Sequence, residues 1–193
     1  MIAGIILAAG ASVRMGSPKA LLDLRGETFL DRLLRIFARF CDPLIVVAGV
    51  HAEQIGAHLV SKSSRARLVV NPDPDRGQLS SLQTALAEVP AAATGFLFVP
   101  VDCPTVEEHT VAALIAEFRR QRTPFVIPKF EGRRGHPVCA AASTIAEFLA
   151  LPPTAETRAI VNRHAAEIAY LDVDDPGILA DIDTVEAYKE MTR

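Results

Sequence analysis

Cysteine is scarce in this 193-residue chain: Cys41, Cys103 and Cys139 lie far apart, and no CxxC pair occurs. That spacing argues against a structural zinc site and a disulfide framework, and reduced thiols in a cytoplasmic protein are the simpler reading. A basic excess is equally missing. The 20 Lys and Arg stand against 23 Asp and Glu, a net charge of −3, which is not the footprint of a nucleic-acid-binding surface. Arg32, Arg35 and Arg39 recur at helical spacing and read as the solvated face of a helix. Long apolar runs are missing too. The uncharged opening IAGIILAAGASV falls short of the ~20 residues of a membrane span, and it lacks the basic lead of a signal peptide. With no internal repeat, low-complexity tract or linker, a single domain over 1–193 is expected.

What is present is ample core material. Half the residues are hydrophobic and 22% are charged, which rules out disorder over most of the chain. The apolar runs IAGIIL (2–7), LIVVAGV (44–50), ARLVVN (66–71) and GFLFVPV (95–101) are short and continuous, as strands covered on both faces are. Helical patterns alternate with them. Phe29, Leu33, Ile36 or Phe37, and Phe40 share one face behind a cap formed by Thr28 with Asp31. Val111, Leu114, Ile115 and Phe118 share another behind a Thr105-x-x-Glu108 capping box. In the second half, strands are expected over 124–130, 136–141 and 167–173, with a turn at EGRRG (131–135). Helices are expected over 143–151, 155–166 and 184–191. The alternation predicts a three-layer α/β/α, Rossmann-like domain with a mostly parallel mixed sheet and right-handed crossovers.

The segment LAAGASVRMGSPKALL (7–22) begins where the first strand ends, which in open α/β sheets is where ligands bind. Ala8, Ala9 and Gly10 let a ligand approach the backbone, and Gly10 and Gly16 tolerate positive φ. Arg14 and Lys19 put two cations on the same loop, suited to a polyphosphate. Pro18 stiffens it. The loop is neither a Walker A motif nor a GxGxxG fingerprint. The bland alternative is a strand–turn carrying surface cations. Asp102 closes an apolar strand and faces the same crevice, where a hard oxygen ligand suits Mg2+; the bland alternative is a turn residue before Cys103-Pro104. Cys103 itself reads as a small, half-buried filler.

LAAGASVRMGSPK resembles the signature loop of nucleotidyltransferases that activate sugars, lipids and cofactors with a nucleoside monophosphate. Within them the chain is similar to the molybdenum cofactor cytidylyltransferases, through this loop, NPDPDRGQLSSLQTAL (71–86), VPVDCP (99–104), GRRGHPV (132–138) and DIDTVEAY (181–188). The resemblance implies a nucleotide-diphospho-sugar transferase type of fold. It implies backbone contacts to the nucleotide from Ala8, Ala9 and Gly10, a triphosphate held by Arg14 and Lys19, and a base near Gly77 and Ser81. GQLSS, where guanylyl-transferring relatives carry a GPLAG-type sequence, points to CTP over GTP. Asp183 is implied as the second metal ligand beside Asp102, with Asp181 as its rival and helix capping as the bland role for Asp183. Arg14, Lys19 and Asp102 form the implied catalytic set, with Mg2+ as cofactor.

The implied reaction is attack of the molybdopterin phosphate on the α-phosphorus of CTP, releasing pyrophosphate. A phosphate monoester is already mostly ionised at neutral pH, its second pKa being about 6, so no general base is required. Arg133, Arg134 and His136 are candidates for contacting the anionic pterin, against a plain hairpin turn whose histidine satisfies local backbone. PTAETRA (153–159) stands where relatives carry a GDxGAR-like loop, with Arg158 kept and both glycines missing. Val185 replaces a usual proline and Ala187 an acidic residue. These departures leave the acceptor open. The rivals are a nucleotidyltransferase for another phosphorylated metabolite, such as a sugar phosphate, and a non-catalytic carrier or chaperone of the cofactor. A transient molybdoenzyme or chaperone partner is compatible with either.

Overall fold

The apolar runs do form one sheet, and all but ARLVVN, whose strand lies half-exposed at the edge, are buried on both faces. The computed structural model describes residues 1–11, 16–62 and 64–192. Its strands are β1 (Ile2–Ala8), β4 (Leu44–Ala48), β5 (Arg67–Val70), β6 (Gly95–Pro100), β7 (Phe125–Phe130), β8 (Arg133–Arg134), β9 (Val138–Ala141) and β10 (Ile168–Asp172), with β2 (Asp23–Leu24) and β3 (Glu27–Thr28) forming a separate two-stranded hairpin. The main order is β10-β7-β9-β6-β1-β4-β5, and β8 folds back on β7. β1 pairs parallel with β4 and β6, in registers Ile5↔Ile45 and Ile5↔Phe98. β9 runs antiparallel between β6 and β7, which makes the sheet mixed.

Alternation along β1 divides the core. Ile2, Ile6 and Ala8 face α1 (Phe29–Phe37), α2 (Ala52–Ser61) and α4 (Glu108–Gln121), burying Phe29, Leu33, Phe37, Leu114 and Phe118. Ala3, Ile5 and Leu7 face α3 (Gln78–Leu86), α5 (Ile145–Ala150) and α6 (Arg158–Arg163), with Phe96 and Phe125 both edge-on to Phe148. The three layers follow from this division. Each fully buried Phe or Leu contributes about 1.5–3 kcal/mol. Among the described residues no helix is long and apolar enough to cross a membrane.

The helix starts show where local reading holds and where it fails. Thr28 Oγ1 accepts the Asp31 amide at 3.0 Å, as expected of a cap. The Thr105–Glu108 capping box does not form. α4 begins at Glu108 with Glu107 as its N-cap and no cap bond from that side chain. Asp175, only 1% exposed, instead accepts from the Glu107 amide (2.9 Å), the Thr110 hydroxyl (2.7 Å) and the Gly177 amide (2.8 Å). A carboxylate 68 residues away supplies the negative charge that a helix N-terminus favours. Arg32 is likewise more than a solvated cation, since its Nε donates to the Pro104 carbonyl at 2.8 Å; Arg35 and Arg39 pair with Glu27 and Glu108.

Candidate active site

The chain passes from β1 to β4 and β5, then returns to the other side of β1 as β6. The carboxyl ends of β1 and β6 therefore border the point where strand order reverses, the place open α/β sheets leave for ligands. From β1 the chain enters the small-residue loop at Ala8, Ala9 and Gly10. An added Cβ at Gly10 would meet nothing within 4 Å among the described residues. Pro18 then leads into a short 3₁₀ turn, Lys19–Leu21, that turns Lys19 toward β6. Arg14 lies outside the described residues.

Asp102 follows β6 directly. The Val101 amide continues the β1 ladder by donating to the Leu7 carbonyl at 3.0 Å, and Cys103 closes a turn onto the Pro100 carbonyl at 3.1 Å. Asp183 arrives from the far end of the chain, because the Ile182 amide donates to the Asp102 carbonyl at 3.1 Å. Lys19 Nζ donates to Asp102 Oδ2 at 3.3 Å and to Asp183 Oδ1. Capping the last helix, α7 (Val185–Thr192), is not the work of Asp183: the Ala187 amide donates to Thr184 Oγ1 at 3.2 Å.

Carboxylate oxygens of Asp102, Asp181 and Asp183 all lie within 4.8 Å of one another. Among the described residues of this cluster, three carboxylates face the Lys19 ammonium. Burial pulls the Lys19 ammonium toward neutrality, but its hydrogen bond to Asp183 and the fields of Asp102 and Asp183 outweigh it, and its pKa is raised. Burial, together with Asp102 and Asp183, pushes the Asp181 carboxyl up. Closely spaced hard oxygen donors with unspent charge fit a small divalent cation. The sequence reading set Asp181 against Asp183; the fold brings both to the cluster. Cys103 is buried there, and desolvation first, then Asp102 and Asp181, push its thiol far up, so no thiolate nucleophile forms.

Beside a small space of about 90 Å³ at Lys19, two larger clefts meet at Asp102. One, about 290 Å³, is lined by Ala9, Gly10, Gly77, Gln78 and Ser81. The other, about 320 Å³, runs past Asp181 and Asp183 to Arg133, Arg134 and His136. Gly135 shapes the second, because a Cβ there would lie 2.2 Å from the Ile178 carbonyl oxygen. Arg133 and Arg134 are exposed, and the Arg134 guanidinium sits 4.8 Å from the centre of the Tyr170 ring. His136 packs edge-on to Phe98, and its ring has no hydrogen-bond partner among the described residues, contrary to the bland hairpin reading. Burial outweighs the field of Asp102 and lowers its pKa, so the ring is neutral at neutral pH. Arg158 is exposed, paired with Glu156, and lines none of these clefts.

Sequence reasoning missed two residues at the crevice. His51 Nε2 lies 3.0 Å from the Ala11 carbonyl, and because a carbonyl only accepts, that nitrogen carries the hydrogen. His51 thereby holds the end of the small-residue loop and lines the space beside Lys19. Gln78 borders both clefts. The motif NPDPDRGQLSS carried the signal for Gln78, whereas nothing in sequence linked His51 to residue 11.

The crevice at the topological switch point belongs to a fold of the nucleotide-diphospho-sugar transferase type, and the proteins this chain matches include nucleotidyltransferases. The MobA-like NTP transferase domain matches residues 4–168, and the chain belongs to that family. It is 26% identical over 187 residues to the molybdenum cofactor cytidylyltransferase of Escherichia coli (strain K12), covering 95% of this chain and 92% of the relative. It is 31% identical over 206 residues to the nicotine blue oxidoreductase of Paenarthrobacter nicotinovorans, covering 96% and 93%. The crystal structure of Rv0371c from Mycobacterium tuberculosis H37Rv superposes with a TM-score of 0.83 at 29% identity, covering 100% of this chain and 98% of that one. A manganese complex of that protein gives 0.77 at 28%, covering 99% and 97%.

Proposed function

We propose that the chain transfers CMP from CTP to the terminal phosphate of molybdopterin, forming molybdopterin cytosine dinucleotide and pyrophosphate. The observation that carries this reading is the Lys19–Asp102–Asp183 contact at the junction of the two clefts. It gives one nucleotide-sized space on the side of Gly10 and Ser81 and one acceptor space on the side of Arg133 and His136. The E. coli relative bears the corresponding name, and the match covers nearly the whole of both chains.

The barrier to such a transfer is repulsion between two anions. Asp102 and Asp183, with Asp181, would hold a divalent cation, proposed here as Mg2+. Such a cation, when bound, supplies charge neutralisation at the phosphates. Lys19 stays protonated through the reaction and lies against the same carboxylates, where a triphosphate oxygen can replace one of them as its partner. Backbone groups of Ala8, Ala9 and Gly10 fix the triphosphate, and Arg14 on the same loop adds a second cation. Arg133 and Arg134 draw the anionic acceptor to the opposite side, while neutral His136 offers it a hydrogen bond without adding charge. Rate enhancement then rests on positioning and preorganised charge. The product's natural destination would be a molybdoenzyme, directly or through a chaperone.

Pyrophosphate release from CTP that requires both molybdopterin and Mg2+ tests the reading. Release with a sugar phosphate but not molybdopterin would move the acceptor while keeping the class. No release with any acceptor would favour a carrier, or the chemistry for which the Paenarthrobacter relative is named.

A further inference from the structure

The three carboxylates of the cluster are not equally well anchored. Asp102 follows β6 and is held by the ladder to β1, whereas Asp181 and Asp183 ride on the segment that ends in α7. That segment has little of its own to hold it. α7 has eight residues, fewer than the ~12–15 that an isolated helix needs in water, and none of residues 183–191 is fully buried. Opposing forces act at its near end. The Ile182 amide on the Asp102 carbonyl and the Lys19 ammonium on Asp183 draw it in. Like charge on three carboxylates within 4.8 Å of one another opposes the approach.

Tyr188 holds the far end. Its hydroxyl donates to the Asp23 carbonyl at 2.7 Å. Its ring meets Phe29 edge-on, with centroids 6.0 Å apart, and Phe29 is fully buried at the first turn of α1. Asp23 opens the β2–β3 hairpin directly after the turn that presents Lys19, and the Phe29 amide closes that stretch onto the Leu22 carbonyl at 3.0 Å. The helix after Asp183 is thus tied to the same piece of chain that carries Lys19. A ring results: Lys19 reaches Asp183 by the ion pair, Asp183 reaches Tyr188 along the chain, Tyr188 reaches Asp23 by its hydroxyl, and Asp23 returns to Lys19 along the chain. Tyr188 itself lines neither cleft.

We propose that Tyr188 is a positioning residue whose hydroxyl docks the 181–192 segment, and that this docking sets the affinity of the Asp102–Asp181–Asp183 cluster for a divalent cation. Apparent affinity falls with the fraction of molecules in which the segment is docked. A cation and the Tyr188 bond favour the same docked state, so each strengthens the other. The inference rests on the cation site of the reading above, and on neither its nucleotide nor its acceptor.

The test is binding, not turnover. Mn2+ alone is titrated into the full chain without nucleotide and followed by the paramagnetic resonance signal of the free ion, with amide hydrogen exchange measured in parallel. Tyr188→Phe keeps the ring on Phe29 and removes only the donor. Mn2+ then binds about three- to tenfold more weakly, the scale of one hydrogen bond. Amides of 185–192 exchange faster in the metal-free variant, and saturating Mn2+ restores their protection, while β1 and β6 exchange as in wild type. Asp183→Asn weakens Mn2+ binding by itself, and Tyr188→Phe costs less in that background, where less of the site rides on the docked segment. Wild-type Mn2+ affinity in Tyr188→Phe, with Asp183→Asn still weakened, overturns the inference and leaves the cation site standing. Wild-type protein that leaves Mn2+ free overturns the cation site, and the inference with it.

Discussion

On the β1–β4–β5 side of Asp102, exposed Gln78 apart, the polar groups at and behind the crevice are buried or half-buried, and their partners are already set. Asn71, Ser80 and Ser81 are bonded to one another, and His51 holds the Ala11 carbonyl. On the β7–β8–β10 side, Arg133 and Arg134 stand exposed on a two-residue strand, and Arg134 rests on an aromatic face rather than in an ion pair. A buried network loses free energy whenever one partner is wrong, whereas an exposed arginine adapts at small cost. The same crevice therefore combines a strict half and a permissive half.

Removing the group shared by both halves should have the largest effect. Asp102→Ala is expected to keep the fold and lose about a hundred- to a thousand-fold in turnover, the cost of one preorganised charge-stabilising group. Pyrophosphate release alongside circular dichroism checks it, and near-normal release from a folded variant would break the division at Asp102. Asp175→Ala comes next and tests whether the permissive half is anchored. It strands the Thr110 hydroxyl and the Glu107 amide, at about 3 kcal/mol, or roughly 6–12 °C in melting temperature at 2–4 °C per kcal/mol. A shift below 2 °C would show that the 175–183 segment is held some other way.

Arg133→Ala sharpens the contrast from the acceptor side. The acceptor KM should rise roughly three- to tenfold, on the scale of a partly solvated charge-assisted bond, while the dissociation constant for CTP stays put. Equal losses for both substrates would erase the distinction between the halves.

The smallest effect is in pH dependence. The folded pKa of Lys19 is raised, so its contribution is fully present below the unfolded value near 10.4. That contribution is lost as pH rises through the higher folded pKa. Lys19→Met should flatten stability against pH above about pH 10 in metal-free buffer, measured by urea melts. A wild-type slope retained in the variant would place the titration elsewhere.

Much of this architecture was legible because burial on both faces leaves continuous runs such as GFLFVP, and because α1 carries a strong apolar stripe behind Thr28. The two-residue strands β2 and β3 left no such run, since only Leu24 of the four residues is buried. The α4 cap was misread for a related reason: Thr105 and Glu108 have the right spacing, but spacing carries no information about Asp175, which reaches the same amides from beyond the sheet. At the site, Lys19, Asp102 and Asp183 were found through motifs that resemble a family, and the fold brings them together. Arg158 followed the same route and faces away, in the stretch where both family glycines are missing. The Tyr188 tether was beyond reach, because nothing along the chain links residue 188 to the Asp23 carbonyl.

The Ile182–Asp102 backbone bond also orders events during synthesis. The sheet can be complete through β10 while the carboxylate cluster still lacks Asp181 and Asp183. A nascent chain at that stage presents the loop at Gly10 and Asp102 without the other two carboxylates of the cluster. A site that needs all three carboxylates therefore forms only once the segment carrying Asp181 and Asp183 has docked on Asp102.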